Sequence, residues 1–284
     1  MEVLAQAPEP ERLRSDGPAV PATWLRWSGS AQTSLGGDLV VDVPMEKIAA
    51  LTSASAAGDV ERVVELLAEG VPVDAQNEQR YTALNTALMA NVTSLLAAGR
   101  GTTSPEPSGA TDQVAADRVG VVRVLLRAGA DPEQPVGEYH ENYPLARAAL
   151  WGMQDMVAVL LEGGARPDRR EERIASPVGQ AAHQGHTEIV EMLLDQGVNI
   201  DGDSPQSSPL TGAAWHGRLQ TVRYLLQRGA RPHSVAVTKA EQGLAFAISR
   251  PDNDYAATPE RLAEFTQMIS MLKEALAGTS EADE

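Results

Sequence analysis

The chain contains no cysteine, so side-chain chemistry here would fall to histidine and aspartate. His183, His186 and His216 form the strongest candidate set, because imidazoles close in sequence are what a zinc site uses. Their spacing argues against that use. His183 and His186 straddle Gly185, so they do not share one face of a helix, and no ordered carboxylate joins them. Asp131, Asp168, Asp201 and Asp203 stand in connecting segments, where carboxylates fix turns through bonds to nearby backbone N–H groups. The chain has no phosphate-cradling glycine loop, no HExxH and no GxSxG. No enzymatic activity, metal or cofactor is expected.

The elements that carry these residues are clearest in SPVGQAAHQGHTEIVEMLLDQGVNID, Ser176 to Asp201. Pro177 suits the first turn of a short helix, where a missing N–H costs nothing. Ala181 and Ala182 are small enough for a neighbouring helix to come close. Gly185 ends the helix, and Thr187 is placed to cap a second one. Ile189, Val190, Met192, Leu193 and Leu194 follow helical spacing up to Gly197. A single helix-turn-helix cannot bury its own apolar face, so the unit needs copies.

Copies are present. Leu-Leu followed three residues later by glycine ends at Gly70, Gly129, Gly164, Gly197 and Gly229, at intervals of 59, 35, 33 and 32 residues. A second register agrees: Leu145, Val178, Leu210 and Leu244 lie 33, 32 and 34 residues apart. The period, with helix openings Tyr143-Pro144-Leu145, Ser176-Pro177-Val178 and Ser208-Pro209-Leu210, resembles the ankyrin repeat. Paired alanines follow each opening, and exits of the Gly-Ala-x-Pro kind follow Gly129, Gly164 and Gly229. The resemblance covers about Glu46 to Ala277. The family's helix-opening histidine is absent; Asn85, Ala146, Gly179 and Thr211 take that place. His186, by contrast, sits in a Gly-His pair like the family's structural histidine. The resemblance implies an all-α solenoid of about six helix-turn-helix repeats with hairpin-like finger loops.

Bulk properties narrow the partners. A net charge of −16 disfavours nucleic acid, which needs clustered Lys and Arg, and disfavours anionic membrane surfaces. No stretch approaches the ~20 apolar residues of a membrane helix. The N-terminus carries acids and prolines where a signal peptide needs an apolar core, so a cytoplasmic location is expected.

Residues 1–44 read as a tail. Thr23–Trp27 and Asp38–Val43 have the pattern of two short strands, a hairpin that could lay Trp24 or Trp27 over the first repeat. The repeats occupy 45–278. In the second, Asn91 replaces the turn glycine, and an insert at about 91–116 separates its markers by more than one period. The first helix is expected to continue to about Ala98 and the second to start near Thr111 or Asp112. Repeats three to five span about 141–170, 175–202 and 207–234, and a final repeat begins at Gln242 with the helix AFAIS. Thr258-Pro259 opens a long capping helix to about Ala277, and 279–284 form an acidic tail.

Residues just before each turn glycine correspond, by the resemblance, to variable positions on the concave face. Repeats three to five place Trp151, His183, Gln184, Trp215 and His216 there. Tyr139, Arg169, Arg170 and Arg173 extend that side onto the fingers. Interface energy concentrates in Trp, Tyr and Arg. The expected function is therefore non-covalent binding of another protein by a monomer, with a basic partner as the charge-matched choice. The alternative is an inhibitor or immunity-type protein that neutralises a basic toxin or enzyme. Packing of Trp151 and Trp215 between repeats competes with both.

Overall fold

A computed structural model describes residues 43–97, 109–135, 143–169, 176–249 and 258–282. The chain divides into two units, Met1–Val41 and Asp42–Glu284. The first lies outside the described residues, and with it the hairpin expected around Trp24 and Trp27.

Among its described residues the second unit has twelve helices and no strand. They form six pairs: α1 (Met45–Ala57) with α2 (Val60–Ala68), α3 (Ala83–Ala97) with α4 (Gly109–Arg127), and α5 (Pro144–Leu150) with α6 (Gln154–Glu162). Then come α7 (Pro177–Gln184) with α8 (Thr187–Asp195), α9 (Pro209–Trp215) with α10 (Leu219–Gln227), and α11 (Ser234–Ser249) with α12 (Pro259–Ala282). The first helices of the pairs pack side by side in one row and the second helices in another. At four of the five junctions the first helices pack more extensively than the second ones; α3 with α5 is the exception. The small residues explain the close row. Ala148, Ala149, Ala181, Ala182, Ala213 and Ala214 are fully buried, and their small side chains let neighbouring backbones approach closely. The larger side chains Leu125, Leu160, Leu193 and Leu225, all buried, fill the space between the two rows.

Local chemistry sets the helix bounds. Pro144, Pro177 and Pro209 each open their helix, and the Ser176 and Ser208 hydroxyls accept from the Gly179 and Thr211 N–H groups. Thr187 does not cap α8 as its position suggested. His186 holds the cap position, and the Thr187 hydroxyl instead bonds that of Thr221 in the next repeat at 2.8 Å.

Three bounds differ from those the sequence suggested. The insert leaves α3 unbroken to Ala97 and starts α4 at Gly109, slightly earlier than expected; residues 98–108 are outside the description. The final pair begins at Ser234, not Gln242. Ala236, Val237, Ala240 and Ala247 share a buried face over the whole span, so α11 is one long helix and AFAIS only its end. Leu244, in phase with Leu210 by sequence, therefore sits in the eleventh place of its helix, whereas Leu210 sits in the second of α9. Helix α12 runs to Ala282, through most of what reads as an acidic tail.

Candidate functional site

The candidate surface is assembled from the short turns between paired helices. Gly58, Gly152, Gly185 and Gly217 adopt φ of 81°, 68°, 88° and 71°, the left-handed region where a side chain is strained. Three of them are also covered. A Cβ on Gly152 would strike the His186 ring, one on Gly185 the Arg218 stem, and one on Gly217 the Phe265 ring, each at less than 3.0 Å. In every case the covering side chain comes from the following repeat.

Two of those side chains, His186 and Arg218, also close their turns electrically, and Arg118 does so for the first repeat. The last carbonyls of a short helix lack internal donors. Arg218 Nε donates to the His183 carbonyl at 3.2 Å, and the His186 imidazole donates to that of Leu150. Arg118 Nε donates to the Ala56 carbonyl at 2.8 Å. Ala56, Leu150 and His183 each stand two residues before a turn glycine, and Arg118, His186 and Arg218 each stand eleven before the next Leu-Leu glycine. Arg118 is thus the second repeat's counterpart of His186, even though α4 runs straight through that position. The sequence reading missed it because the insert removes the turn glycine that marks the place elsewhere. The third repeat has Met153 there, which has no donor to offer.

With the backbone closed, the residues before the glycines are left facing outward in part. His183 and His216 come together, ring centroids 3.6 Å apart. His186 is not with them; it lies under the turn of the third repeat. Burial, then His183, Arg218 and Arg261, pushes the His216 imidazole down to about 3. Burial likewise lowers His183, with Arg218 adding to it, and lowers His186. All three rings are therefore neutral near pH 7. Among the described residues no group of three or more His, Asp or Glu could hold a metal ion. Gln184 accepts from Arg218 Nη2 at 3.4 Å.

The two tryptophans are not equivalent. Trp151 is half-buried, packs against the core, and keeps its Nε1 buried without a hydrogen-bond partner. Trp215 is half-buried between two α11 side chains: Phe246, with centroids 6.4 Å apart, and Lys239, whose ammonium lies 5.0 Å above the ring. Trp151 thus packs on the core, whereas Trp215 packs on side chains of the following repeat. Phe246 is itself 38% exposed and Ile248 58%.

At the finger bases, carboxylates clip successive repeats. Asp74 accepts from the Asp131 N–H at 3.2 Å, Glu133 from that of Arg166 at 2.9 Å, and Asp201 from that of Arg231 at 2.8 Å. Asp131 also holds its own turn through the Glu133 N–H. Arg169 stacks on Tyr143, 4.3 Å from the centroid, and pairs with Glu133 at 3.2 Å. Tyr139, Arg170 and Arg173, singled out with Arg169 from the sequence, lie outside the described residues.

No described helix is long and apolar enough to cross a membrane. Two sequence models match: "Ankyrin repeats (many copies)" over residues 145–194 and "Ankyrin repeats (3 copies)" over 170–236. The chain is 28% identical over 202 residues to ankyrin repeat domain-containing protein SAT10 of Stachybotrys chartarum, covering 70% of this chain and 10% of the relative. It is 43% identical over 61 residues to human ankyrin repeat and SOCS box protein 11, covering 21% of this chain and 19% of that one. The crystal structure of the human ASB11 ankyrin repeat domain superposes with a TM-score of 0.52 and 27% identity, covering 77% of this chain and 82% of that domain. The chain thus spans only a small part of the length of these curated relatives.

Proposed function

The chain is an ankyrin-repeat protein, and we propose that it binds another protein non-covalently through the first-helix row of repeats three to five and the finger loops beside it. Ankyrin repeats are protein–protein interaction modules, and their stacking creates an extended surface for a partner. One observation carries the placement. Within each short first helix the paired alanines are wholly buried, yet Trp151, His183, Gln184, Trp215 and His216 are left half-exposed beside them. Large rings at partial exposure are the residue type in which interface energy gathers.

Trp215 is the anchor of choice, because its ring is held by Phe246 and Lys239 and not by the core. Replacing it with alanine should weaken partner binding by ~2 kcal/mol or more. The melting temperature should stay close to that of the parent. Trp151→Ala should behave differently, costing ~2 kcal/mol of stability, less than the loss for a fully buried ring. Capture from native lysate followed by mass spectrometry checks the reading. A protein retained by the parent and lost with Trp215→Ala supports it; the same proteins retained by both sink it.

A role as inhibitor of a basic toxin or enzyme is the narrower alternative. It draws on the exposed acids Glu188 and Glu191 of α8 and on the net charge of −16. Binding that survives Trp215→Ala but is lost on reversing Glu188 and Glu191 to lysine would favour it.

A further inference from the structure

Within repeats three to five, the helix carboxylates all lie in the second-helix row. Helices α3, α5, α7 and α9 contain no Asp or Glu, and their one formal charge is Arg147. On α11 the single carboxylate, Glu241, is paired with Lys273 of α12 at 2.8 Å. The opposite row differs. Helices α6 and α8 carry Asp155, Glu162, Glu188, Glu191 and Asp195, all exposed, and no basic residue.

The first-helix row is also rich in donors. Arg147 Nε on α5 and Trp151 Nε1 at its C-terminal cap, one turn apart, are buried donors without hydrogen-bond partners. Arg147 does donate through Nη2, but to the thioether of Met89 at 3.4 Å, a weak acceptor. Lys239 adds a cation over the Trp215 ring.

We propose that the first-helix row of repeats three to five takes an acidic segment of its partner, an extended stretch that sets Asp or Glu side chains against Arg147 and Lys239 and an apolar side chain against Trp215. The inference rests on the reading of this row as the binding surface, and it reverses the basic partner expected from net charge. A carboxylate arriving here meets no like charge on α3, α5, α7 or α9. It gains a charge-assisted bond from the Arg147 guanidinium. A small rotation of Arg147 and Trp151 onto that acceptor also relieves donors that are otherwise buried unpaired. A lysine or arginine arriving instead meets Arg147 and Lys239, finds no free carboxylate on the helices beneath it, and is desolvated without a counter-charge.

The arrangement has a kinetic signature. At long range the net charge repels an acidic segment, whereas the contacts with Arg147 are short-range. Salt screens the first more than the second, since the Debye length is ~8 Å at physiological ionic strength. Association should therefore speed up as salt is raised from low values, the opposite of an attractively steered pair.

The test is selection of a phage-displayed library of random linear peptides on the intact chain, with Trp215→Ala, Arg147→Gln and Arg147→Glu as counter-targets. The inference expects enriched peptides with excess Asp and Glu beside an apolar residue. Their affinity should fall roughly tenfold with Arg147→Gln and further with Arg147→Glu. Lys239→Glu supplies the same charge reversal should Arg147→Glu fail to fold. Enriched peptides with excess Lys and Arg that are lost with Trp215→Ala overturn the acidic partner and leave the binding row standing. Peptides indifferent to Trp215→Ala, or no enrichment over a Trp151→Ala/Trp215→Ala double variant, overturn the row itself.

Discussion

His216 is held neutral by its surroundings, and that neutrality has a cost in acid. Its imidazole is pushed from 6.5 down to about 3 by burial, with His183, Arg218 and Arg261 adding to it. Above pH 6.5 the ring is neutral in the folded and the unfolded chain alike. Below that, the unfolded chain binds a proton that the folded chain refuses, so stability is lost as pH falls from 6.5 toward 3. His183 and His186 shift in the same direction and share the loss. Melting temperature should therefore decline less steeply with falling pH in His216→Gln, and a slope identical to the parent's would show the ring charging freely in place. Glycines offer a second residue-scale contrast. A Cβ on Gly243 would collide with the Trp215 carbonyl, a backbone atom that cannot swing aside, while one on Gly197 meets nothing within 4 Å. Gly243→Ala should cost ~3 kcal/mol through overpacking. Gly197→Ala should cost ~1 kcal/mol, through its φ of 82° alone. Equal losses in urea unfolding would refute the steric account. Of these roles only that of His186 was legible beforehand, because a Gly-His pair marks its place. The His183–His216 contact was not, since it joins residues whose positions relative to their own turn glycines differ by one.

Among the elements, α4 shows how an insertion is absorbed. The added residues fall between the helices, and α4 grows backward by extra turns while keeping Arg118 in register with His186 and Arg218. Arg118 is 9% exposed, so its bond to the Ala56 carbonyl is shielded from water. Arg118→Met keeps the apolar stem and removes the donor. It should lower unfolding free energy by ~2 kcal/mol, the scale of a hydrogen bond from a charged group. An unchanged urea midpoint would mean that water serves that carbonyl equally well. Helices opened by proline after serine or tyrosine were legible from sequence, because proline fixes both the start and the direction of the first turn. Helix α11 has no such opening. Its start at Ser234 is set by the buried face of Ala236, Val237 and Ala240, small residues whose periodicity is faint beside that of Leu244.

For the array as a whole, two markers in phase were enough to read the fold, because a stack of identical layers forces the period on every layer. The binding row was legible only as positions. Its charge was not, since a net −16 describes the molecule and conceals first helices α3, α5, α7 and α9 without carboxylates. Loop closure costs grow only logarithmically with length, so replacing residues 98–108 by a short Gly-Ser connector should leave the melting temperature nearly unchanged. A large drop would place those residues in the packing of α3 and α4. The closing of a turn by a side chain of the following repeat, as His186 and Arg218 do, bears on where one module ends and the next begins. Cut at the period drawn by the sequence, a module carries the fastener of its predecessor and leaves its own behind. In a shuffled or duplicated array, junctions made with His186 or Arg218 would arrive closed. A copy of the third repeat would bring Met153 and leave the carbonyl before it unanswered. The interchangeable part is offset from the repeat, running from one first helix to the residue that opens the next repeat's second helix.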